Sequence, residues 1–85
     1  MLSCQIALYP LRVSDIDKVI VDSLEVIKTL EENGLNIEMG SMSTVIKGED
    51  SLVWEAIHKL FDEASKNGQQ IVLSMLISNE CGCKI

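Results

Sequence analysis

The chain has 85 residues, of which 47% are hydrophobic, 24% charged and only 4% aromatic. That is a globular composition with enough apolar side chains for one core and too few for two, which excludes intrinsic disorder and a multidomain enzyme within these residues. Seven Lys and Arg stand against thirteen Asp and Glu, a net charge of -6 with no basic cluster, so nucleic acid and anionic membrane surfaces are poor partners.

Cys4 to Pro10 is an apolar run that stops at Pro10. It predicts a first strand, with Ile6 and Leu8 on one face and Gln5, Ala7 and Tyr9 on the other. Ser14 is an N-cap residue type, and Asp15 and Asp17 follow where negative charge suits a helix N-terminus. Ile16, Val19, Ile20, Leu24, Ile27 and Leu30 then recur at spacings of three and four, which predicts an amphipathic helix that stops at Asn33-Gly34. Leu35 to Met42 returns to alternation, Ile37 and Met39 against Glu38 and Gly40. Ser41 to Lys47 is a further extended run, and a Gly-containing turn or bulge is expected near Gly40 to Ser43. Gly48 to Ser51 is a turn and cap cluster. Val53, Ile57, Leu60, Phe61 and Ala64 form a second helical stripe that ends at Asn67-Gly68. Ile71 to Ser78 reads as the last strand, with Ile71, Leu73, Met75 and Ile77 on one face and Val72, Ser74, Leu76 and Ser78 on the other.

The order β-α-β-β-α-β predicts an α+β, ferredoxin-like fold: a four-stranded antiparallel sheet with two helices on one face. Residues 1–80 are expected to form the single domain and residues 81–85 a C-terminal tail. Two helices cover one sheet face only. Gln5, Ala7, Tyr9, Thr44, Ile46, Val72, Ser74 and Leu76 are expected on the other, a mixture too apolar to stay wet. A homo-oligomer through this open face or a sheet edge is therefore expected. A small-molecule site at or near the interface is expected with it, with Tyr9, Thr44 and Ser74 supplying polar groups.

Nothing in the chain predicts an enzyme. His58 is the only histidine and falls on a polar helix face, no Ser-His-Asp or Cys-His pairing can be built, and the glycines are isolated at turns. The three cysteines are an odd number, which argues against a closed disulfide framework. Cys81-Gly-Cys83 offers two thiolates where a structural zinc site needs four ligands, so it reads as a tail with free thiols and no metal is expected. Trp54 is expected at the core margin or a subunit contact. The chain has no run of ~20 apolar residues and no basic segment followed by an apolar one, so membrane insertion is not expected and the expected compartment is the cytoplasm.

Three segments carry a family resemblance: Cys4-Gln-Ile-Ala-Leu-Tyr-Pro10, Met42-Ser-Thr-Val-Ile-Lys-Gly48 and Gln70-Ile-Val-Leu-Ser74. In this order and spacing they resemble the YkoF-like family of thiamine- and hydroxymethylpyrimidine-binding proteins, part of a wider group of thiamine-binding-type ferredoxin-like domains. The resemblance runs from about Ser3 to Ser78. It implies a non-enzymatic binder of thiamine or its pyrimidine precursor, with no cofactor besides that ligand, acting in vitamin transport, salvage or sensing and assembling as dimers or tetramers. The family's Leu-Tyr-Pro strand end matches Leu8 and Tyr9, and its Ser-Thr segment matches Ser43 and Thr44. Met42 and Gln70 are further ligand candidates. An aminopyrimidine has ring-nitrogen acceptors and an amine donor that these hydroxyls can pair with, and an acidic protein does not repel a thiazolium cation. A regulatory small-molecule domain of the amino-acid-sensor type and a purely structural oligomerisation module are the alternatives.

Overall fold

The computed structural model describes residues 1–12, 15–40 and 43–79, apart from the side chain of Asn67. Four strands, β1 (Leu2–Pro10), β2 (Asn36–Met39), β3 (Thr44–Gly48) and β4 (Ile71–Ser78), form one antiparallel sheet in the order β2-β3-β1-β4. Helices α1 (Ile16–Lys28) and α2 (Asp50–Ala64) lie side by side on one face of it. This is the ferredoxin-like arrangement that the element order predicts.

Strand β1 runs through the centre. Leu2, Cys4, Ile6 and Pro10 are buried toward the helices, while Gln5 and Tyr9 are exposed on the opposite face. Pro10 is tolerated in a central strand because β3 pairs only as far as Ile6. At Pro10 the neighbour is β4 alone, opposite Ile71.

Helix α1 is capped by Asp15, whose Oδ1 accepts a hydrogen bond from the Lys18 N–H at 3.0 Å. The cap thus falls one residue after the expected Ser14, which lies outside the described residues. A short 3-10 segment (Thr29–Asn33) continues the helix, and Gly34 stops it at φ 103°, the left-handed conformation that glycine adopts without penalty. The inner stripe buries Ile27 and Leu30 together with Ser23, whose hydroxyl donates to the Val19 carbonyl at 2.7 Å and so is satisfied. Ile16 begins the predicted stripe but is half-exposed. On α2 the buried positions are Val53, Ala56, Ile57, Leu60 and Ala64. Phe61, expected in that stripe, is exposed, because Leu60 and Ala64 already fill the face toward the sheet.

One expectation about the sheet is corrected. Thr44 and Ile46 do not project from the uncovered face: they are 8% and 0% exposed and point toward the helices. The register pairs Ile6 with Thr44 and Cys4 with Ile46, and directly paired residues share a face. Val45 and Lys47 take the open-face positions instead. The turn between β2 and β3 sets this parity, and a slip of one residue reverses every side chain of a strand.

Candidate functional site

A cavity of about 190 Å³ opens between α1 and the sheet, beside the turn from β2 to β3. Its walls are apolar. Ile6 and Leu8 come from the helix face of β1, Ile20 and Leu24 from α1, and Leu60 from α2. Ile20 and Leu24, four residues apart, stand one above the other on α1. Both remain only half-buried although they lie on the inner stripe, because the cavity is what they face.

The rim is polar and comes from the hairpin: Gly40, Ser43 and Thr44, with Met39 beside them. Ile6, Thr44 and Met39 are mutually opposite across β1, β3 and β2, forming one row on the helix face of the sheet. Among the described residues no hydrogen bond uses the Ser43 or Thr44 hydroxyl. The Gly40 N–H donates to the Ser43 carbonyl at 2.9 Å, closing the hairpin. A Cβ on Gly40 would stand 3.0 Å from that same oxygen, a contact tight enough that a larger residue would push the rim apart slightly.

Chemically the site is an apolar slot with two hydroxyls at its edge, each able to donate and accept. None of the described residues that line it is ionisable. That suits a flat, neutral ring with polar atoms on its perimeter.

Of the residues expected in a ligand site, Leu8, Ser43 and Thr44 come together in this cavity. Tyr9 follows Leu8 on β1 and therefore points the other way, opposite Val72 on the open face and 54% exposed. Gln70 lies ahead of β4, with β1 between it and the hairpin, and its carbonyl accepts from the Leu11 N–H at 2.8 Å. Met42 lies outside the described residues. Ile20, Leu24, Met39, Gly40 and Leu60 also line the cavity. Periodicity marked all but Gly40 as inward-facing, yet an apolar residue against a cavity and one against the core give the same pattern.

Elsewhere the ion pairs among the described residues lie at the surface. His58 Nε2 lies 3.1 Å from Asp62 Oδ2 one turn along α2, both largely exposed, as expected for a solvated histidine. Trp54, on the same helix, is half-exposed. Among the described residues no three His, Cys, Asp or Glu side chains converge on a point that would hold a metal ion. Cys81 and Cys83 lie outside those residues. Cys4 is fully buried beneath the helices, and burial pushes its thiol pKa up.

The model of the YKOF-related family matches residues 1–84. A crystal structure from Thermotoga maritima, of a candidate thiamine biosynthesis or salvage protein, superposes with a TM-score of 0.76 at 22% identity, over 93% of this chain and 83% of that one. A hypothetical protein of Methanocaldococcus jannaschii gives a TM-score of 0.79 at 20% identity, over 95% of this chain and 81% of the other. A domain of unknown function from Bacillus cereus gives 0.75 at 18% identity, over 93% and 75%. At these identities the likeness is one of fold. No curated protein matches the chain.

Proposed function

Because the chain belongs to the YKOF-related family, we propose that it binds thiamine or its hydroxymethylpyrimidine moiety, without catalysing a reaction and without a cofactor. The cavity under α1 is the proposed site, with Ser43 and Thr44 pairing with the aminopyrimidine edge and Leu8, Ile20, Leu24 and Met39 holding its faces. The observation that carries this reading is a ring-sized apolar slot whose polar side chains, among the described residues, are two hydroxyls at the rim that no other described residue engages. An apolar cavity of about 150 Å³ takes up a single benzene ring. At about 190 Å³ the slot suits one six-membered ring and not both rings of thiamine. In this reading the pyrimidine enters and the thiazolium stays at the mouth, where a chain of net charge -6 does not oppose a cation. Tyr9 and Gln70 lie outside the slot and are left with no ligand role in it.

The likeness to a candidate thiamine biosynthesis or salvage protein supports a role in transport, salvage or sensing of the vitamin. Among the described residues no helix is long and apolar enough to cross a membrane. A cytoplasmic location and a homo-oligomeric state are part of the proposal. Calorimetric titration with hydroxymethylpyrimidine, thiamine and the isolated thiazole alcohol tests it. Heat is expected from the first two and none from the third. Silence from both pyrimidines, together with no shift in thermal unfolding, would overturn it, since a ligand at about 100 times its Kd stabilises a protein by ~2.7 kcal/mol.

A further inference from the structure

The wall of the cavity under α1 has nothing that stabilises a buried cation. Among the described residues none of its lining side chains gains or loses a proton. Val13, Ser14, Ser41 and Met42, which lie outside the described residues, are not ionisable either. None of the described lining residues is aromatic, so no ring face is there to hold a positive charge. At the rim the Ser43 carbonyl already accepts from the Gly40 N–H at 2.9 Å.

The titratable groups of the surrounding elements are not among the residues that line the cavity. On β1, Cys4 is fully buried and burial keeps its thiol protonated, while Tyr9 is on the open face. On β2 and β3, Glu38 and Lys47 line a separate depression on the open face. On α1, Asp17, Glu25 and Lys28 are exposed, and Lys18 and Asp22 line a second cleft together with Glu63 and Lys66. On α2, Asp50 pairs with the N-terminal ammonium, His58 with Asp62, and Glu55 with Lys59, each at 3.1 Å and at the surface. Arg12 and Asp15, ahead of α1, are exposed.

A ring nitrogen that takes up a proton turns the aminopyrimidine into a cation. Burying a charge in an apolar slot costs far more than burying an uncharged polar ring, unless an opposite charge meets it. Among the described residues no opposite charge lines this slot. The net charge of -6 draws cations toward the surface, but exposed carboxylates are screened over about 8 Å at physiological salt. We propose, resting on the ligand reading above, that the slot takes the aminopyrimidine only in its uncharged form. A protonated ligand then leaves its proton to solvent as it enters, one proton per ligand. The pH at which binding fails is set by the pKa of the ligand and by no group of the protein, so acid empties the site without titrating it.

Calorimetric titration of the full chain with hydroxymethylpyrimidine and with thiamine tests this, at physiological salt and between about pH 5 and 8, where folded proteins are generally most stable. Ultraviolet titration of each free ligand gives its ring pKa in the same buffers. Above that pKa the affinity is expected to be constant. Below it the affinity is expected to fall about tenfold per pH unit, because apparent affinity scales with the fraction of competent form. Repeating the titration in buffers of different ionisation enthalpy counts the protons released, which are expected to rise from none toward one per ligand. The attached thiazolium makes the ring of thiamine less basic, so its midpoint is expected at lower pH than that of hydroxymethylpyrimidine. His58→Gln removes the only imidazole in the chain and is expected to leave both midpoints in place. An affinity that stays flat through the ligand pKa or rises in acid, one midpoint shared by both ligands, or a midpoint lost in His58→Gln would each overturn the proposal and leave the ligand reading standing. No heat from either ligand at the alkaline end of the range would overturn the ligand reading, and this proposal with it.

Discussion

At the scale of single residues, Thr44 separates folding from function. It sits in β3 with its side chain on the helix face, 8% exposed, yet no hydrogen bond among the described residues uses its hydroxyl. The hydroxyl lines the cavity and has no hydrogen bond to lose, and valine has nearly the same shape and favours strands. Thr44→Val is therefore expected to leave thermal stability unchanged or raise it slightly, while weakening ligand binding by about tenfold, the equivalent of one hydrogen bond at ~1.4 kcal/mol. Calorimetry alongside thermal unfolding checks both halves, and equal affinity in the variant would remove Thr44 from the site. Thr44 was legible as a ligand candidate from its place in the Ser-Thr segment. Its direction was not, because side-chain parity in β3 depends on the turn before it and not on the strand's own residues. Tyr9 shows the converse: its strand position was readable, but its distance from Ser43 and Thr44 followed only from the observed register.

At the scale of elements, the start of α1 matters most, because that helix roofs the cavity. Asp15 Oδ1 holds the Lys18 amide at 3.0 Å and places a negative charge at the positive end of the helix. Asp15→Ala is expected to cost about 1 kcal/mol of global stability in urea unfolding, and Asp15→Asn less, since asparagine keeps the hydrogen bond and loses only the charge. Equal losses in the two variants would mean that the charge dominates. The helices themselves were legible from the three-and-four spacing of their apolar residues, and the stop at Gly34 from the Asn-Gly pair. What periodicity does not reveal is how completely a stripe is covered. Ile20 and Leu24 belong to the same stripe as Ile27, yet Ile27 is fully buried in the core, Leu24 meets both the core and the cavity, and Ile20 lines the cavity. The two kinds of position carry the same residue types because a ring and a neighbouring side chain are both apolar surfaces.

At the scale of the whole molecule, Cys4 links global stability to pH. Its thiol is fully buried among Leu2, Ile6 and the helix residues, and desolvation raises its pKa above the ordinary 9.0. Below that value both folded and unfolded chains hold the proton, and the group has no effect on the pH dependence. Above it the unfolded chain releases the proton first, so stability is lost as pH rises from 9.0 toward the folded value, at most by about 1.4 kcal/mol per pH unit. Urea unfolding across this alkaline window should show the loss in the native sequence and a shallower slope in Cys4→Ala; identical slopes would clear Cys4 of the effect. The sequence alone determined the elements, their order and the ferredoxin-like fold, because local spacing and turn chemistry fix strands and helices, and few sheets accommodate that order. The tertiary structure decided the face on which Thr44 and Ile46 lie and the cavity under α1. These depend on strand register and on where two helices come to rest across four strands, and both are set by contacts between residues far apart in the chain.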